Sequence, residues 1–523
     1  MKTQFNASSK SQFRRLVGLT AMMLFFGSGA AKAQFWTAVP GFPGQGASTA
    51  LLRTDGTVMI QAFAGTCPDG SPQPSGDWYL LLPDAAGNYT TGNWSGFPSF
   101  PGGYAPLYYA SAVLPDGRVV VVGGEYDGGC LIVDSSTGYI LPFSFPDSNF
   151  GRSQSWQKLK EPWPGGVPTG VGDGQSVVLP DGTWMVANGF NRQSAILDPK
   201  TLTWSYVSKG KIDVNGEEGW TLLPNGDVMT IDVNGSVYQR DRVEVYHYKS
   251  KDWTRIKNTA GPLTFNCQSV EIGPAVLMAD GKVFAAGADG VTAIYDTTTG
   301  DWTLGPPFPP NSYGGGVDGI DDGPAALMPN GNVLMMTSAI YPCQQPGADF
   351  LAFDGTNLNP VPSPPNASNE ISYNGRMLVL PSGQILFTDG TSDVEIYTPA
   401  GTFREEWRPV LSAVGIQSDN VLSAGQTYTA EGYLFNGLSQ GAAYGDDAQS
   451  ATNFPLIRLT NQATGLVMYA PTADFSSGVG SGSAPKVLLH TKFHIPSNMP
   501  LGLASVEVVV NGIPSKPVLF SIE

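Results

Sequence analysis

The sequence predicts an all-β protein: a seven-bladed β-propeller followed by an immunoglobulin-like β-sandwich. Three observations predict this fold. A pair of short apolar runs joined by a tight turn recurs seven times, roughly every 50 residues. A tryptophan follows most of these pairs at a similar distance. The 523 residues include 65 glycines and 42 prolines, and only 14% are charged, against roughly 25% in an average soluble protein. This composition excludes coiled coils and helical bundles, and it favours many short strands.

The repeated turns define the first two strands of each blade. Asp-Gly and Asn-Gly between apolar runs are strong hairpin signals, because both central residues tolerate a positive φ. Their spacing is that of kelch repeats. The turns are Thr54-Asp55-Gly56, Pro115-Asp116-Gly117, Pro180-Asp181-Gly182, Pro224-Asn225-Gly226, Ala279-Asp280-Gly281, Pro329-Asn330-Gly331 and Pro381-Ser382-Gly383.

A third strand and a tryptophan-containing fourth strand complete each blade. A blade cannot bury both faces alone, so the blades are expected to stack in a ring. The last blade supplies three strands before the pattern changes. We expect residues 35–39 to supply its fourth strand, with Trp36 beside the strand that contains Glu395 and Tyr397.

Three segments are predicted along the chain. Residues 1–33 combine a basic start, an apolar stretch and Ala31-Lys32-Ala33, which is typical of a secretory signal peptide rather than of a membrane anchor. Residues 34–404 form the propeller, and residues 405–523 form the sandwich. No later run of 18 apolar residues follows, so no membrane span is expected after cleavage. The predicted location is the periplasm or the cell exterior.

Four cysteines in an exported chain predict disulfides, although four unpaired thiols are the alternative. The repeat pattern places all four towards one face of the propeller. We therefore predict the pairs Cys67–Cys130 and Cys267–Cys343. The net charge of −16 argues against a nucleic-acid partner.

Three stretches resemble the galactose oxidase and glyoxal oxidase family: residues 108–117, residues 372–381 and residues 511–515. The resemblance covers nearly the whole chain after residue 33, without the family's N-terminal sugar-binding domain. It implies the same propeller and C-terminal domain. It also implies a copper ion held by two tyrosines and two histidines, with one tyrosine crosslinked to a cysteine.

The sequence departs from this copper site at most positions. Tyr108 matches the crosslinked tyrosine, but the position of its cysteine falls near Ala47. Tyr373 matches the axial tyrosine, but Asn374 replaces the adjacent histidine. The histidine of the C-terminal domain is expected near residues 456–458, where the sequence has Leu-Ile-Arg. We therefore expect the fold to be kept and the copper-radical chemistry to be lost.

A candidate binding site follows from the repeat. The family's copper ligands on blades two and seven lie eight residues before the central turn residue, where the innermost strand begins. The same offset in every blade selects Ala47, Tyr108, Asp173, Glu217, Ile272, Asp322 and Asn374. With Tyr373, the polar members form a candidate site at the propeller mouth. Glu218 adds charge nearby, and Asp318, Asp321 and Asp322 are a possible cation site.

The functional prediction is non-catalytic binding of an extracellular glycan or protein. The first alternative is a carbohydrate-active hydrolase or lyase that uses the acidic mouth, and a divergent oxidase is less favoured. A structural module of the cell envelope, or a polar mouth that only faces water, also fits. No cofactor is expected; calcium is the alternative, and copper is not expected. Gly445-Asp446-Asp447-Ala448 is either a cation contact or an exposed acidic loop.

Overall fold

The computed structural model describes residues 34–68, 70–143, 145, 155–163, 170–235, 241–266, 270–341, 343–415, 420–446, 450–480 and 487–523. The predicted signal peptide and Cys267 lie outside these residues. Across the described ranges the regular structure is β-strand, apart from four 3-10 helices of three residues each. These are Pro101–Gly103, Ala367–Asn369, Ser372–Asn374 and Glu405–Trp407. No helix in this part of the chain has the length and apolarity to cross a membrane. The prediction of an all-β fold is confirmed.

Seven antiparallel sheets, counted over the described ranges, share one order of four strands from the inside to the outside. We number them as blades along the chain. Blade one is Ala47–Leu52, Val58–Thr66, Pro72–Leu82 and Asn93–Phe97. Blade two is Ala110–Val113, Val119–Val122, Gly138–Leu141 and Gln157–Lys158. Blade three is Ser176–Val178, Trp184–Ala187, Ser194–Asp198 and Thr203–Val207. Blade four is Trp220–Leu222, Val228–Ile231, Val243–His247 and Asp252–Arg255.

Of the remaining three blades, blade six carries additional short strands. Blade five is Ala275–Leu277, Lys282–Ala286, Thr292–Asp296 and Asp301–Leu304. Blade six is Ala325–Leu327, Val333–Ala339, Gln345–Phe353 and Leu358–Pro360, with Asp318–Gly319 paired to its second strand. Blade seven is Arg376–Val379, Ile385–Thr388, Val394–Thr398 and Phe35–Val39. Two further pairs of short strands lie outside the four-stranded sheets: Pro106–Leu107 with Tyr126–Asp127, and Thr264–Asn266 with Val270–Ile272.

The blades form a closed ring. Their innermost strands contact one another in sequence order, and the innermost strand of blade seven contacts that of blade one. The N-terminal strand closes blade seven, with Trp36 paired to Tyr397 and their ring centroids 4.9 Å apart. This predicted packing of Trp36 is confirmed. The second strand of blade two, Val119–Val122, is buried on both faces because the blade is covered on each side by its neighbours.

Two further sheets form the C-terminal sandwich around a core that includes Phe435 and Phe493. The first sheet is Val410–Val414, Thr427–Tyr433, Leu489–His494 and Thr472–Ala473. The second sheet is Val421–Leu422, Val518–Ile522, Gly502–Val510, Leu456–Asn461 and Val467–Ala470. Ile513–Pro514 pairs with Gly502–Val510. A further strand from this part of the chain, Ala442–Ala443, joins blade six.

The sandwich covers one face of the propeller, the face that carries the turns between first and second strands. The backbone N–H of Phe475 donates to the carbonyl of Pro115 over 3.1 Å. The Ser477 hydroxyl donates to the carbonyl of Leu179 over 2.9 Å. The Gly56 turn lies so close to the ring of Tyr469 that a Cβ would not fit. The opposite face carries the loops between second and third strands and those between blades, and we call it the open face.

Residues 435–446, the channel segment, run from the sandwich into the middle of the ring. The Gln440 side chain accepts a hydrogen bond from the backbone N–H of Leu222 in blade four over 2.9 Å. Ala442–Ala443 pairs with the innermost strand of blade six. We expected the segment around residues 456–458 to reach the copper position. That expectation is wrong, because these residues lie in a sandwich strand, Leu456–Asn461.

The predicted disulfide Cys67–Cys130 is confirmed, and it joins the loops after the second strands of blades one and two. Cys343 is also disulfide-bonded. Its predicted partner, Cys267, lies outside the described residues.

Candidate functional site

Four of the positions selected by the repeat offset share an unusual backbone conformation. Their backbones lie in the left-handed region, which residues other than glycine rarely adopt. The φ values are 53° at Tyr108, 45° at Asp173, 62° at Glu217 and 46° at Asp322. Each lies two or three residues before the innermost strand of its blade. The Glu217 N–H donates to the carbonyl of Asp173 over 2.9 Å, which links neighbouring blades. The same local geometry therefore recurs at the mouth of four blades.

Five carboxylates converge at the centre of the open face. One oxygen each from Asp173, Glu217 and Asp446 lies within 4.8 Å of the others, and the same holds for Glu217, Glu271 and Asp322. Glu217 belongs to both groups. Blades three to six supply four of these residues, and the channel segment supplies Asp446. We call these five residues the central carboxylate cluster.

Proximity and burial change the protonation of the cluster. Burial, followed by the charges of Asp173, Asp446, Glu271 and Asp322, raises the pKa of Glu217 well above its usual range. Burial, followed by Glu271 and Asp446, raises the pKa of Asp322 in the same way. Like charges in a desolvated site cannot all ionise without a large energetic cost. Protonation of these side chains or a bound positive charge would relieve the repulsion.

Asp321 lies at the edge of this cluster and is only 3% exposed. Burial, followed by the charge of Glu271, raises its pKa to about 7, while the nearby Gln344 side chain opposes the rise. Neither of its carboxylate oxygens accepts a hydrogen bond of ordinary geometry from a described residue. A buried carboxyl group without such bonds is energetically costly.

A cationic group lies on the other side of the mouth. The Arg376 guanidinium is 4.0 Å from the centroid of the Tyr444 ring and 5.4 Å from that of Tyr108. It donates hydrogen bonds to the carbonyls of Tyr373 and Gly375 over 2.6 and 2.8 Å. The Tyr444 hydroxyl also donates to the carbonyl of Tyr373, over 2.7 Å. Tyr108 and Tyr373 are thus brought together around an arginine.

The other predicted site residues lie in separate environments. The Asn374 amide donates to Glu370 over 3.2 Å. Asp318 accepts a hydrogen bond from Asn311 over 2.7 Å and is raised in pKa to about 7, first by burial. The structure groups Asp322 with Glu217 and Glu271 rather than with Asp318.

Glu218 belongs to a second acidic group, beside the first strand of blade four. Lys211 Nζ lies 2.9 Å from Glu218 and 2.7 Å from Glu244, and all three side chains are fully buried. Oxygens of Asp213, Glu218 and Asp232 also lie within 4.8 Å of one another. We call Lys211, Asp213, Glu218, Asp232 and Glu244 the blade-four cluster.

The three histidines of the chain lie away from the mouth. His247 is in the third strand of blade four, where its ring nitrogens contact Asp227 and Thr254 over 2.8 and 2.7 Å. His490 and His494 are in the sandwich strand Leu489–His494. Among the described residues, no histidine lies beside Tyr108, so these residues do not supply the two histidine ligands of such a copper site.

Sequence analysis missed Glu271 and Arg376 and did not assign Asp446 to the mouth. Glu271 lies one position before the residue that the offset selected, and Ile272 is buried in the strand Val270–Ile272. Of the two alternatives for residues 445–448, an exposed loop does not hold for Asp446, which is only 2% exposed. No sequence signal placed Arg376 beside Tyr108.

Exposed aromatic side chains lie in loops of the open face. Phe190 is in the loop between the second and third strands of blade three, and Tyr341 is in the equivalent loop of blade six. Tyr313 lies in the connection from blade five to blade six. The open face thus combines an acidic centre with aromatic loops.

No protein-family model and no curated protein matches the sequence. Among solved structures, the chain is similar to a fungal alcohol oxidase of the AA5 family in complex with copper. The two are 16% identical, with a TM-score of 0.50, over 94% of this chain and 99% of the oxidase. A streptogramin B lyase is 10% identical, with a TM-score of 0.46, over 70% and 98% of the two chains. A virginiamycin B lyase from Staphylococcus aureus is 10% identical, with a TM-score of 0.42, over 70% and 99%. The likeness to the oxidase shows a galactose-oxidase-like propeller fold.

Proposed function

We propose that the chain is an exported, non-catalytic binding protein that holds an extracellular glycan on the open face of its propeller. The observation that carries this proposal is the convergence of five carboxylates at the centre of that face, while the sandwich packs against the opposite one. Carboxylates accept hydrogen bonds from sugar hydroxyls, and a recessed polar centre orients such a ligand.

The surrounding loops supply the complementary contacts. Phe190, Tyr313 and Tyr341 are exposed on the same face. Aromatic rings bury the apolar C–H faces of sugars, and the tyrosine hydroxyls add hydrogen bonds. A glycan that spans the centre and one loop would use both kinds of contact.

Export is part of the proposal. Residues 1–33 have the features of a secretory signal, residues 34–404 form the propeller domain, and residues 405–523 form the sandwich domain. The disulfide Cys67–Cys130 fits an oxidising compartment, the periplasm or the cell exterior.

The test is direct binding of the purified chain to a panel of soluble polysaccharides by affinity electrophoresis. The double variant Tyr313→Ala, Tyr341→Ala is expected to weaken binding at least about tenfold, a loss of about 1.4 kcal/mol. Phe35→Ala is the matched control, because Phe35 is an equally exposed aromatic residue in the outermost strand of blade seven. Equal loss in the control, or no loss in the double variant, would refute the open face as the glycan site.

An acid/base enzyme is the second candidate, and the raised pKa of Glu217 beside Asp173 favours it. A protonated carboxyl group beside an ionised one is the pairing that glycoside hydrolases and lyases use. In that case Glu217→Gln would abolish turnover of a bound polysaccharide without loss of binding. Oxidation through a copper-bound tyrosine radical is not proposed, because the donors at the mouth do not fit copper.

A further inference from the structure

We propose that the central carboxylate cluster is a Ca²⁺ site, centred on Glu217. The inference deepens the proposed function, since it rests on the same site and supplies the cation through which sugar hydroxyls are held. It concerns this chain's own carboxylates and needs none of the ligands of a copper oxidase.

The first support is the geometry of the oxygens. Ca²⁺ binds six to eight oxygen ligands at about 2.3–2.6 Å, so ligands on opposite sides of the ion are about 5 Å apart. The two groups that share Glu217 keep their oxygens within 4.8 Å of one another. One ion beside Glu217 is therefore within reach of carboxylates from several blades without any large backbone movement.

The second support is Asp321, which lies near Glu271 and precedes Asp322 in the same loop. It is only 3% exposed, and neither of its oxygens accepts a hydrogen bond of ordinary geometry from a described residue, although the Gln344 side chain is nearby. One oxygen of Asp322 is buried in the same unsatisfied state. A cation beside these groups would compensate buried oxygens that lack hydrogen bonds of ordinary geometry from the described residues.

The ligand chemistry selects a hard cation. All five side chains of the cluster offer oxygen only, which suits Ca²⁺ better than copper or zinc. Five separate elements supply them, so the ligands can adjust to the irregular geometry that Ca²⁺ accepts. Mg²⁺ demands near-ideal octahedral geometry and keeps several waters.

The blade-four cluster also has three carboxylate oxygens within 4.8 Å of one another, but it already contains a cation, Lys211. Lys211 Nζ lies 2.9 Å from Glu218 and 2.7 Å from Glu244. The lysine therefore takes the place that an ion would need. This contrast makes Asp213, in the blade-four cluster, the matched control for residues of the central cluster.

The experiment is calorimetric titration of the full exported chain, stripped with EDTA, with CaCl₂ and separately with TbCl₃. We expect at least one Ca²⁺ per chain and a rise in Tm of several degrees on saturation. Glu217→Gln and Asp322→Asn are each expected to weaken Ca²⁺ binding at least about tenfold, because each removes a charged ligand. Asp213→Asn is expected to bind Ca²⁺ as the unaltered chain does. The Tm of each variant without Ca²⁺ shows whether it has folded.

Absence of Ca²⁺ binding at 1 mM to the folded chain would overturn the proposal. Loss of binding in Asp213→Asn, with Glu217→Gln unaffected, would overturn it as well, since the ion would then lie in blade four. Glycan binding is measured separately with Ca²⁺ and with EDTA. Calcium without any glycan binding would refute only the proposed function, and glycan binding of equal strength in EDTA would overturn the role of the ion in holding sugar.

Discussion

The central carboxylate cluster and the blade-four cluster differ chiefly in how their charge is compensated. Both bring buried carboxylates within 4.8 Å of one another. In blade four, Lys211 contacts two glutamates, and Glu244 also accepts the backbone N–H groups of Ile212 and Asp213 over 2.8 and 3.1 Å. In the central cluster, burial and neighbouring carboxylates raise the pKa of both Glu217 and Asp322.

The protonation states follow from this difference. Burial opposes the charge of Lys211, but Glu218 and Glu244 outweigh it and raise the lysine pKa. Burial also opposes the charge of Glu244, but Lys211 outweighs it and lowers that pKa. Lys211 and Glu244 thus form an ion pair, while burial raises the pKa of Asp232 to about 8 and keeps it protonated at neutral pH. One cluster is internally neutralised, which serves stability, and the other is suited to an external cation.

The largest expected effect tests whether Lys211 compensates the buried carboxylates of the blade-four cluster. Lys211→Met should lower the free energy of unfolding by about 3–5 kcal/mol, because it leaves Glu244 buried without its cation. Denaturation in urea measures this loss. Lys209→Met is the control, since that lysine is exposed and pairs with Asp252 over 3.3 Å at the surface, where an ion pair contributes about 1 kcal/mol or less. A loss under about 1 kcal/mol in Lys211→Met would show that the comparison between the clusters is wrong.

Sequence analysis located part of the central cluster because the blades repeat. Asp173, Glu217 and Asp322 each precede an innermost strand by a similar number of residues, so a constant offset from the turn finds them. Blade five breaks the offset, since the strand Val270–Ile272 precedes its innermost strand and brings Glu271 to the centre. A one-residue shift along a strand reverses the side-chain direction.

Other residues lay beyond the reach of a repeat pattern. Asp446 arrives through the channel segment, whose path depends on the packing of the sandwich against the propeller. Lys211 and Arg376 are charged residues that the sequence gives no reason to place in the interior, because a buried charge depends on partners from other elements. The fold follows from local turn chemistry, whereas these contacts follow from tertiary structure.

A second, smaller effect uses pH to test the repulsion between the carboxylates of the central cluster. An acid whose pKa is raised by folding is protonated in both states below its unfolded pKa, near 4, and loses stability as pH rises through the folded pKa. Folding raises the pKa of Glu217 and of Asp322 well above the usual range, and that of Asp321 to about 7. The contribution of these three groups to the free energy of unfolding therefore falls as pH rises from about 4 to 7 and beyond. In EDTA, Asp322→Asn should therefore gain about 2 kcal/mol relative to the unaltered chain between pH 5 and pH 8.

Thermal and urea unfolding at both pH values measure this difference. The difference between the unaltered chain and the Asp322→Asn variant removes the contribution of titrating groups that the substitution does not affect. The other acids that face Asp322 are Asp173, Glu217, Glu271, Asp321 and Asp446. Saturating Ca²⁺ should restore the stability of the unaltered chain at pH 8 and have less effect on the variant. A parallel pH dependence in both chains would contradict the assignment of repulsion to Asp322.

The smallest expected effect separates two adjacent glutamates. Glu217 and Glu218 are neighbours in sequence, yet Glu217 joins the central cluster and Glu218 contacts Lys211. Burial raises the pKa of Glu218 well above its usual range, although Lys211 opposes the rise. Burial therefore favours the protonated form of this side chain, which accepts a hydrogen bond from the Thr230 hydroxyl over 3.1 Å. Glutamine has the same shape and can keep these contacts, so Glu218→Gln should change the free energy of unfolding by less than about 1 kcal/mol.

Glu218→Gln should also leave Ca²⁺ affinity unchanged, whereas Glu217→Gln should lose it while keeping or gaining stability in EDTA. Parallel denaturation and calcium titration of these two variants compare isosteric changes one residue apart. The left-handed backbone at Glu217, with φ 62°, carries consecutive side chains into different clusters. If both variants lost calcium binding equally, the ion would span both clusters, and the lysine would not be the feature that separates a structural carboxylate from a ligand-binding one.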